Sequence, residues 1–492
     1  MLLLLGGMLW LTLPSQAQTT STTTTIETTV EVTYAEYLGS TRPVRDLIPV
    51  PPTDPERRKL MKKPRSVPEN FQGRGKHNLA FPERQLRTED AIRQRSLNGD
   101  SSIVELLVNI DGITSGTSPN DPSGDIGLNY YLQAVNATQL AVFDKQGNLI
   151  NTFSANTIWS DLGFSSAGDP IILYDQEVNR WLITEFPSGN QLLVAISETD
   201  DPLGAWNAYN FATPSFPDYP KYGIWGNTYT VTTNEGGAAT LHAYFIDREA
   251  MLNTEAMVSI QRIGLHGFTG SESGFLVATP VDWTGTTAPT GDPLVVSLSD
   301  SSWGGGGTED GIEIYAVNVN FDDPGNTSIT NTRVTTSPYD SYACASEGFG
   351  FACVPQLNGN GLDGIPDIVM NQAVYRNFGS YEAMVMCFMT DATGNDLAGI
   401  RWVEMRRSGS DDWAIYQEGT WAPDDGLHRY MSSIQMDGNG NIALGYNVSN
   451  EDTYVGVRFT GRRAGDPLGE MTIPAIEVVA GQSTINSGGR FG

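Results

Sequence analysis

Three aspartates recur at the same point of a degenerate repeat. Asp125 opens DIGLNYYLQAVN, Asp169 opens DPIILYDQEVNRW and Asp218 opens DYPKYGIWGNTYT. Carboxylates placed this way can supply a general acid and a general base, the pair that glycoside hydrolysis needs. They can equally cap turns, because a repeated turn asks for the same side-chain hydrogen bonds each time. His428 and Arg429 follow an Asp-Asp-Gly turn and are a further acid–base candidate. For His428 the competing role is a hydrogen bond that fixes the start of a unit.

Other chemistries are poorly served. There is no G-x-S-x-G, no H-E-x-x-H and no C-x-x-C, and four histidines offer few soft ligands for zinc. A sialidase-type carboxylate clamp needs converging arginines. Arg180, Arg248, Arg262, Arg333, Arg376, Arg401 and Arg429 are available, but several sit in strand-like contexts such as NRW and IRW, where packing on Trp is the common role. Calcium fits better. Asn358, Asn360, Asp363 and Asp367 share a Gly-rich loop, NGNGLDGIPD, with the oxygen ligands that calcium takes. The similar DGNGN at Asp437–Asn441 reads as ordinary Asx turns. For glycan stacking the candidates are Trp303, which is followed by four glycines, and Tyr219 and Tyr222 in FPDYPKYG, read as an exposed loop.

The elements that must position these residues are strands. Each unit opens with an acidic residue and a Gly or Pro turn, runs through a strand pair carrying Tyr or Trp, and ends in a further apolar strand. The period of roughly 45–50 residues is that of propeller blades. Looser units follow at Gly274–Phe321, Ile368–Arg407 and His428–Arg462, and no amphipathic helix interrupts them. The predicted fold is all-β: a β-propeller of the seven-bladed type, with the last blade missing after GGRFG at Gly488–Gly492. Residues 1–17 read as a secretory signal, too short to span a bilayer. Residues 18–100 read as a disordered Thr-rich and basic, Pro-rich linker, and residues 101–492 as the propeller, opening with an apolar strand at Ser102–Ile113.

Composition narrows the partners. Net charge is −28, although 14 of the 29 Lys and Arg lie between residues 42 and 95. A body this acidic repels nucleic acid and anionic membranes. In a secreted chain Cys344 and Cys353, around the turn CASEGFGFAC, suit a local disulfide, with two buried thiols as the alternative. Cys387, inside AMVMCFM, reads as an inert core thiol.

The strings GDPIILYDQEVNRWLITEF, FPDYPKYGIWGNTYTVTTNE, DGLHRYMSSIQMDGNGNIALGYNVS and FTGRRAGDPLGEM resemble a family of large secreted bacterial propeller-like proteins of unassigned function. The resemblance spans about residues 118–492. It implies an extracellular or cell-surface protein, often with further C-terminal sorting or adhesion modules, and it fits the Cys344–Cys353 pair. It carries no catalytic residues across. The leading expectation is a secreted binding scaffold for glycans or a partner protein. The alternatives are a polysaccharide hydrolase or lyase working through Asp125, Asp169 and Asp218, and a structural spacer.

Overall fold

The computed structural model describes residues 21–49, 89–97, 106–115, 119–136, 139–235, 241–265, 277–301, 309–341, 354–366 and 368–485. Three strands precede the repeats: β1 (Ser21–Ile26), β2 (Val30–Ser40) and β3 (Arg93–Gln94). Six four-stranded antiparallel meanders follow. The first is β4 (Ser123–Ile126), β5 (Tyr130–Val135), β6 (Gln139–Asp144) and β7 (Leu149–Ser154). The second is β8 (Ser166–Asp175), β9 (Arg180–Pro187), β10 (Gln191–Ser197) and β11 (Trp206–Ala212). The third is β12 (Pro217–Trp225), β13 (Thr228–Glu235), β14 (Leu241–Asp247) and β15 (Met257–Leu265). The fourth is β16 (Thr279–Thr284), β17 (Leu294–Ser299), β18 (Gly311–Asn318) and β19 (Ser328–Thr335). The fifth is β20 (Ala373–Asn377), β21 (Glu382–Asp391), β22 (Ala398–Arg407) and β23 (Ala414–Trp421). The sixth is β24 (His428–Met436), β25 (Ile442–Asn450), β26 (Thr453–Arg462) and β27 (Ile473–Val479).

This is the expected β-propeller. The first strand of each meander lies innermost, and successive inner strands run side by side; β16 and β20 pair in parallel from Val281↔Ala373 to Thr284↔Arg376. Blades bury both faces, so their middle strands lose alternation. All ten residues of β21 and all eight of β13 are buried. Hydrophobic clusters join the first blade to the second, the second to the third, the third through the fifth, and the fifth to the sixth. Among the described residues no such cluster joins the sixth blade to the first.

Turn chemistry explains the hairpins. Asp144 Oδ1 accepts from the N–H groups of Gln146 and Asn148 at 2.9 and 2.8 Å, and Asp437 does the same for Asn439 and Asn441 at 2.8 and 2.9 Å. These are the Asx turns expected of D-x-x-G-N.

The N-terminal reading needs correction. Residues 21–40 form strands instead of a disordered tail. β1 adds to the outer edge of β19, and β2 fits between β11 and β15, joining the outer edges of the second and third blades into one nine-stranded sheet. Too few apolar residues for a core of their own are still enough to satisfy a sheet edge, where backbone groups do the pairing and β-branched Thr and Val fit the pleat. Residues 89–97 also dock: β3 runs parallel to β23, and buried Asp90 meets Arg401 at 2.7 Å. Residues 106–113, expected as part of a strand, are in no sheet. Among the described residues no helix is long and apolar enough to cross a membrane.

Candidate functional site

The inner strands converge on the ring axis, so their side chains are the ones a ligand in the centre would meet. At the leading end of these strands, three carry a β-bulge with a left-handed, non-glycine residue. They are Asp169 (φ 52°) in β8, Tyr219 (φ 53°) in β12 and Met431 (φ 48°) in β24. Each such residue costs roughly 1–2 kcal/mol of backbone strain. The bulge in β12 turns Lys221 inward. Its Nζ is wholly buried and donates to Thr279 Oγ1 at 2.8 Å and to the Val369 carbonyl at 2.7 Å, with the Tyr219 ring 5.1 Å away. Burial lowers the ammonium to about 7. The neighbouring Cys387 thiol is pushed up to about 12 by the same burial, and it accepts from Ser432 Oγ at 3.3 Å.

At the trailing end, carboxylates gather. Asp125 Oδ2 accepts from Tyr174 N of the next blade at 2.7 Å, and Oδ1 from Ile126 N at 2.7 Å. Enclosure by protein nevertheless raises its carboxyl to about 6. Asp282, in β16, accepts from Ile224 N at 2.9 Å. Its carboxyl is held well above the ordinary range, first by burial and then by the charges of Asp125 and Asp175. Asp175 is different in kind: Arg248 pairs with it at 2.7 and 2.9 Å, and Tyr229 donates to it at 2.8 Å. Gln176 reaches across from the second blade to the fourth. Its Nε2 donates to the Trp283 carbonyl and its Oε1 accepts from Gly285 N, both at 3.0 Å. Arg376 closes this end from the fifth blade, donating to the Met436 carbonyl at 3.2 Å with Asp437 nearby.

Of the three aspartates at the openings of the repeats, the structure takes only Asp125 into this cluster. Asp169 is buried at the leading end, where its N–H lies 3.4 Å from Asn136 Oδ1; Asp218 is half-buried, its N–H donating to Phe216 O at 3.1 Å. His428 Nδ1 accepts from Ala398 N at 3.2 Å, and burial, followed by the charge of Arg429, lowers it to about 4. It is therefore a neutral acceptor that ties the start of the sixth blade to β22. Arg429 is buried beside Trp421 and bound to Asp425 at 3.1 and 2.6 Å. FPDYPKYG is inner strand, not an exposed loop. Tyr222 is fully buried in the cluster between the second and third blades, while Tyr219 packs partly buried against that of the fifth and sixth.

Asn358 is exposed at φ 56°, the Asn360 carbonyl accepts from Gln356, and buried Asp363 accepts from Ile365 N at 2.9 Å. Among the described residues no three His, Cys, Asp or Glu side chains gather as a metal set. Trp303, Asp367, Cys344 and Cys353 lie outside the described residues. Most of the arginines are committed to carboxylates: Arg248 to Asp175, Arg262 to Glu235, Arg333 to Glu313, Arg401 to Asp90 and Arg429 to Asp425. They do not converge as a clamp. Sequence reasoning missed Asp282, Lys221 and Gln176, and it weighed Arg376 only as one arm of a carboxylate clamp. The signal for Asp282 was the inner strand of the fourth unit, TPVDWT, where the acid stands late in the strand and not at its opening turn.

No protein-family model and no curated protein sequence matches the chain. Among solved structures it is similar to an ulvan lyase described as a new family of polysaccharide lyase, with 11% identity over 79% of this chain and 84% of that one and a TM-score of 0.38. It is also similar to an α-L-arabinanase of Cellvibrio cellulosa, with 9% identity over 72% and 94% and a TM-score of 0.31. An endo-1,5-α-L-arabinanase from Thermotoga petrophila gives 12% identity over 72% and 75% and a TM-score of 0.28. Likeness at this level says nothing about chemistry.

Proposed function

We propose that the protein is an extracellular glycan-directed enzyme, with Asp125 and Asp282 as its acid–base pair at the trailing end of the axis. The observation that carries the reading is the pairing itself. Two enclosed carboxyls, each pushed up first by burial and each without an ion pair among the described residues, share this end of the axis, and the charge of Asp125 raises Asp282 further. Divergent environments sort two carboxyls into roles. Asp282, raised well above the ordinary carboxyl range, suits proton donation. Asp125, titrating near 6, suits proton acceptance. The net charge of −28 disfavours polyanionic substrates, so the substrate class is a neutral polysaccharide.

A binding role without catalysis has one observation of its own. Phe378 and Tyr381 stack at 4.8 Å, and Arg406 lies between Tyr381 and Tyr416, at 4.3 and 3.4 Å from their ring centroids. This part-exposed strip sits on the fifth blade at the same end as the carboxylates, and stacked rings suit sugar faces.

One experiment separates the two. A panel of neutral polysaccharides is assayed for binding and for release of new chain ends. The enzyme reading expects chain-end release, reduced roughly 10²–10⁴-fold in Asp282→Asn and Asp125→Asn with binding retained. Binding without chain-end release from any polymer would leave the scaffold reading in its place.

A further inference from the structure

We propose, resting on the reading of Asp125 and Asp282 as the reacting pair, that the substrate chain continues outward over the trailing end of the fifth blade. There Arg376 and the column Phe378–Tyr381–Arg406–Tyr416 bind the neighbouring sugars, so that chains of several units are selected over short ones. Register places Arg376 beside the pair. β16 and β20 run in parallel with Asp282 opposite Val374 and Thr284 opposite Arg376, so Arg376 stands two residues further along than Asp282, roughly 7 Å of strand. Its Nε donates to the Met436 carbonyl at 3.2 Å, while its two Nη atoms meet no acceptor among the described residues. The neighbouring Asp437 is already engaged: its carboxylate accepts from Asn439 N, Asn441 N and Asn441 Nδ2 at 2.8, 2.9 and 2.8 Å. Gly285, at φ 94°, keeps the space beside the fork open, since a Cβ there would sit 2.6 Å from Nη1. A guanidinium fork that holds no carboxylate can donate to paired hydroxyls of a sugar.

The column begins where β20 ends. Phe378 and Tyr381 close the β20–β21 turn, and their rings stack at 4.8 Å with planes 14° apart. Arg406 follows, 4.3 Å from the Tyr381 centroid and 3.4 Å from that of Tyr416, and Glu404 fixes it at 2.6 Å. All four members are part-exposed, and among the described residues no other ring or guanidinium covers Phe378 or Tyr416. One turn of the sixth blade joins the column to Arg376: a Cβ on Gly438 would lie 3.8 Å from Arg376 Nη1, and one on Gly440 3.9 Å from Tyr381 Oη. The surface is thus continuous from the inner strand of the fifth blade to β23. Stacked rings and N–H donors match the apolar faces and the hydroxyls of sugars. Single-stranded nucleic acid also stacks on rings, but a net charge of −28 repels its phosphates.

The test uses the Asp282→Asn protein, in which oligosaccharides are bound and not cut. A disaccharide and an octasaccharide are prepared from the neutral polysaccharide that this protein binds most tightly, and calorimetry reads the affinity for each. Expected is a roughly tenfold or greater preference for the octasaccharide. Adding Arg376→Lys, Phe378→Ala or Tyr416→Ala should each weaken octasaccharide binding roughly three- to tenfold. Tyr416→Phe keeps the ring and should bind as tightly as Asp282→Asn alone, and the melting temperature of every variant checks its folding. No preference for the octasaccharide, or undiminished binding in all three weakened variants, overturns the proposal. The acid–base reading fails separately. If the parent shows this length dependence but releases no chain ends, the sugar track stands and the carboxyl pair loses its role. A protein that binds no neutral polysaccharide overturns both.

Discussion

Arg401 is wholly buried in the fifth blade and carries two carboxylates, Asp90 at 2.7 Å and Glu418 at 3.1 Å; Lys221, as deeply buried in the third, meets none among the described residues. The contrast extends to the carboxylates. Asp175 and Glu235 each hold an arginine, whereas among the described residues Asp125 and Asp282 accept hydrogen bonds from backbone N–H groups only. Lys221 and Asp282 occupy facing strands, yet the register keeps them apart. Lys221 meets Thr279 and Ile224 meets Asp282, so the same pairing offset recurs three residues further along, roughly 10 Å of strand. A buried charge without a partner persists mainly in its neutral form. Burial accordingly lowers the Lys221 ammonium and raises the Asp125 and Asp282 carboxyls. The blades use charge to hold their parts together. The axis keeps titratable groups close to neutrality, which suits proton transfer better than cohesion.

Substitutions on each side can break this contrast. The largest effect is expected from Arg401→Met, which strands Asp90 and Glu418: a loss of about 3–5 kcal/mol in urea unfolding. A loss near zero would mean that blade pairs are as dispensable as axial charges. Asp282→Asn should act in the opposite sense. A carboxyl raised in the fold stabilises below its unfolded value and loses that contribution as pH climbs through its folded one. The variant should therefore melt with the parent at pH 4 and above it at pH 8, and calorimetry at both values is the check. Lys221→Met should give the smallest change, on the order of 1 kcal/mol at pH 7. Its diagnostic is a slope. Lys221 falls from 10.5 in the unfolded chain to about 7 in the fold, so the unfolded chain binds more protons between those values. The parent should gain stability as pH rises through that window, and the variant should lose the gain.

The repeat was legible because blades are local. Hairpins are closed by turn residues a few positions apart, as in Asp144–Asn148 and Asp437–Asn441, and the inner strands of the first three units open close to Asp125, Asp169 and Asp218. The Thr-rich tail was misread because β2 is stabilised by the edges of β11 and β15, about 170 to 230 residues away, and its own composition carries no trace of them. Asp282 was overlooked because its environment comes from Ile224, Asp125 and Asp175 on other blades. Tyr222 looked exposed because Pro and Gly flank it, although a strand lining a ring can carry both at a bulge.

The sequence by itself determined the all-β class, the blade period, the turns and the acidic surface, since these depend on neighbours along the chain. Only the tertiary structure decided which charges are paired and which carboxyls share the axis. Those outcomes depend on the distance between residues far apart in the chain, and a one-residue shift of strand register would turn each of these side chains to the other face.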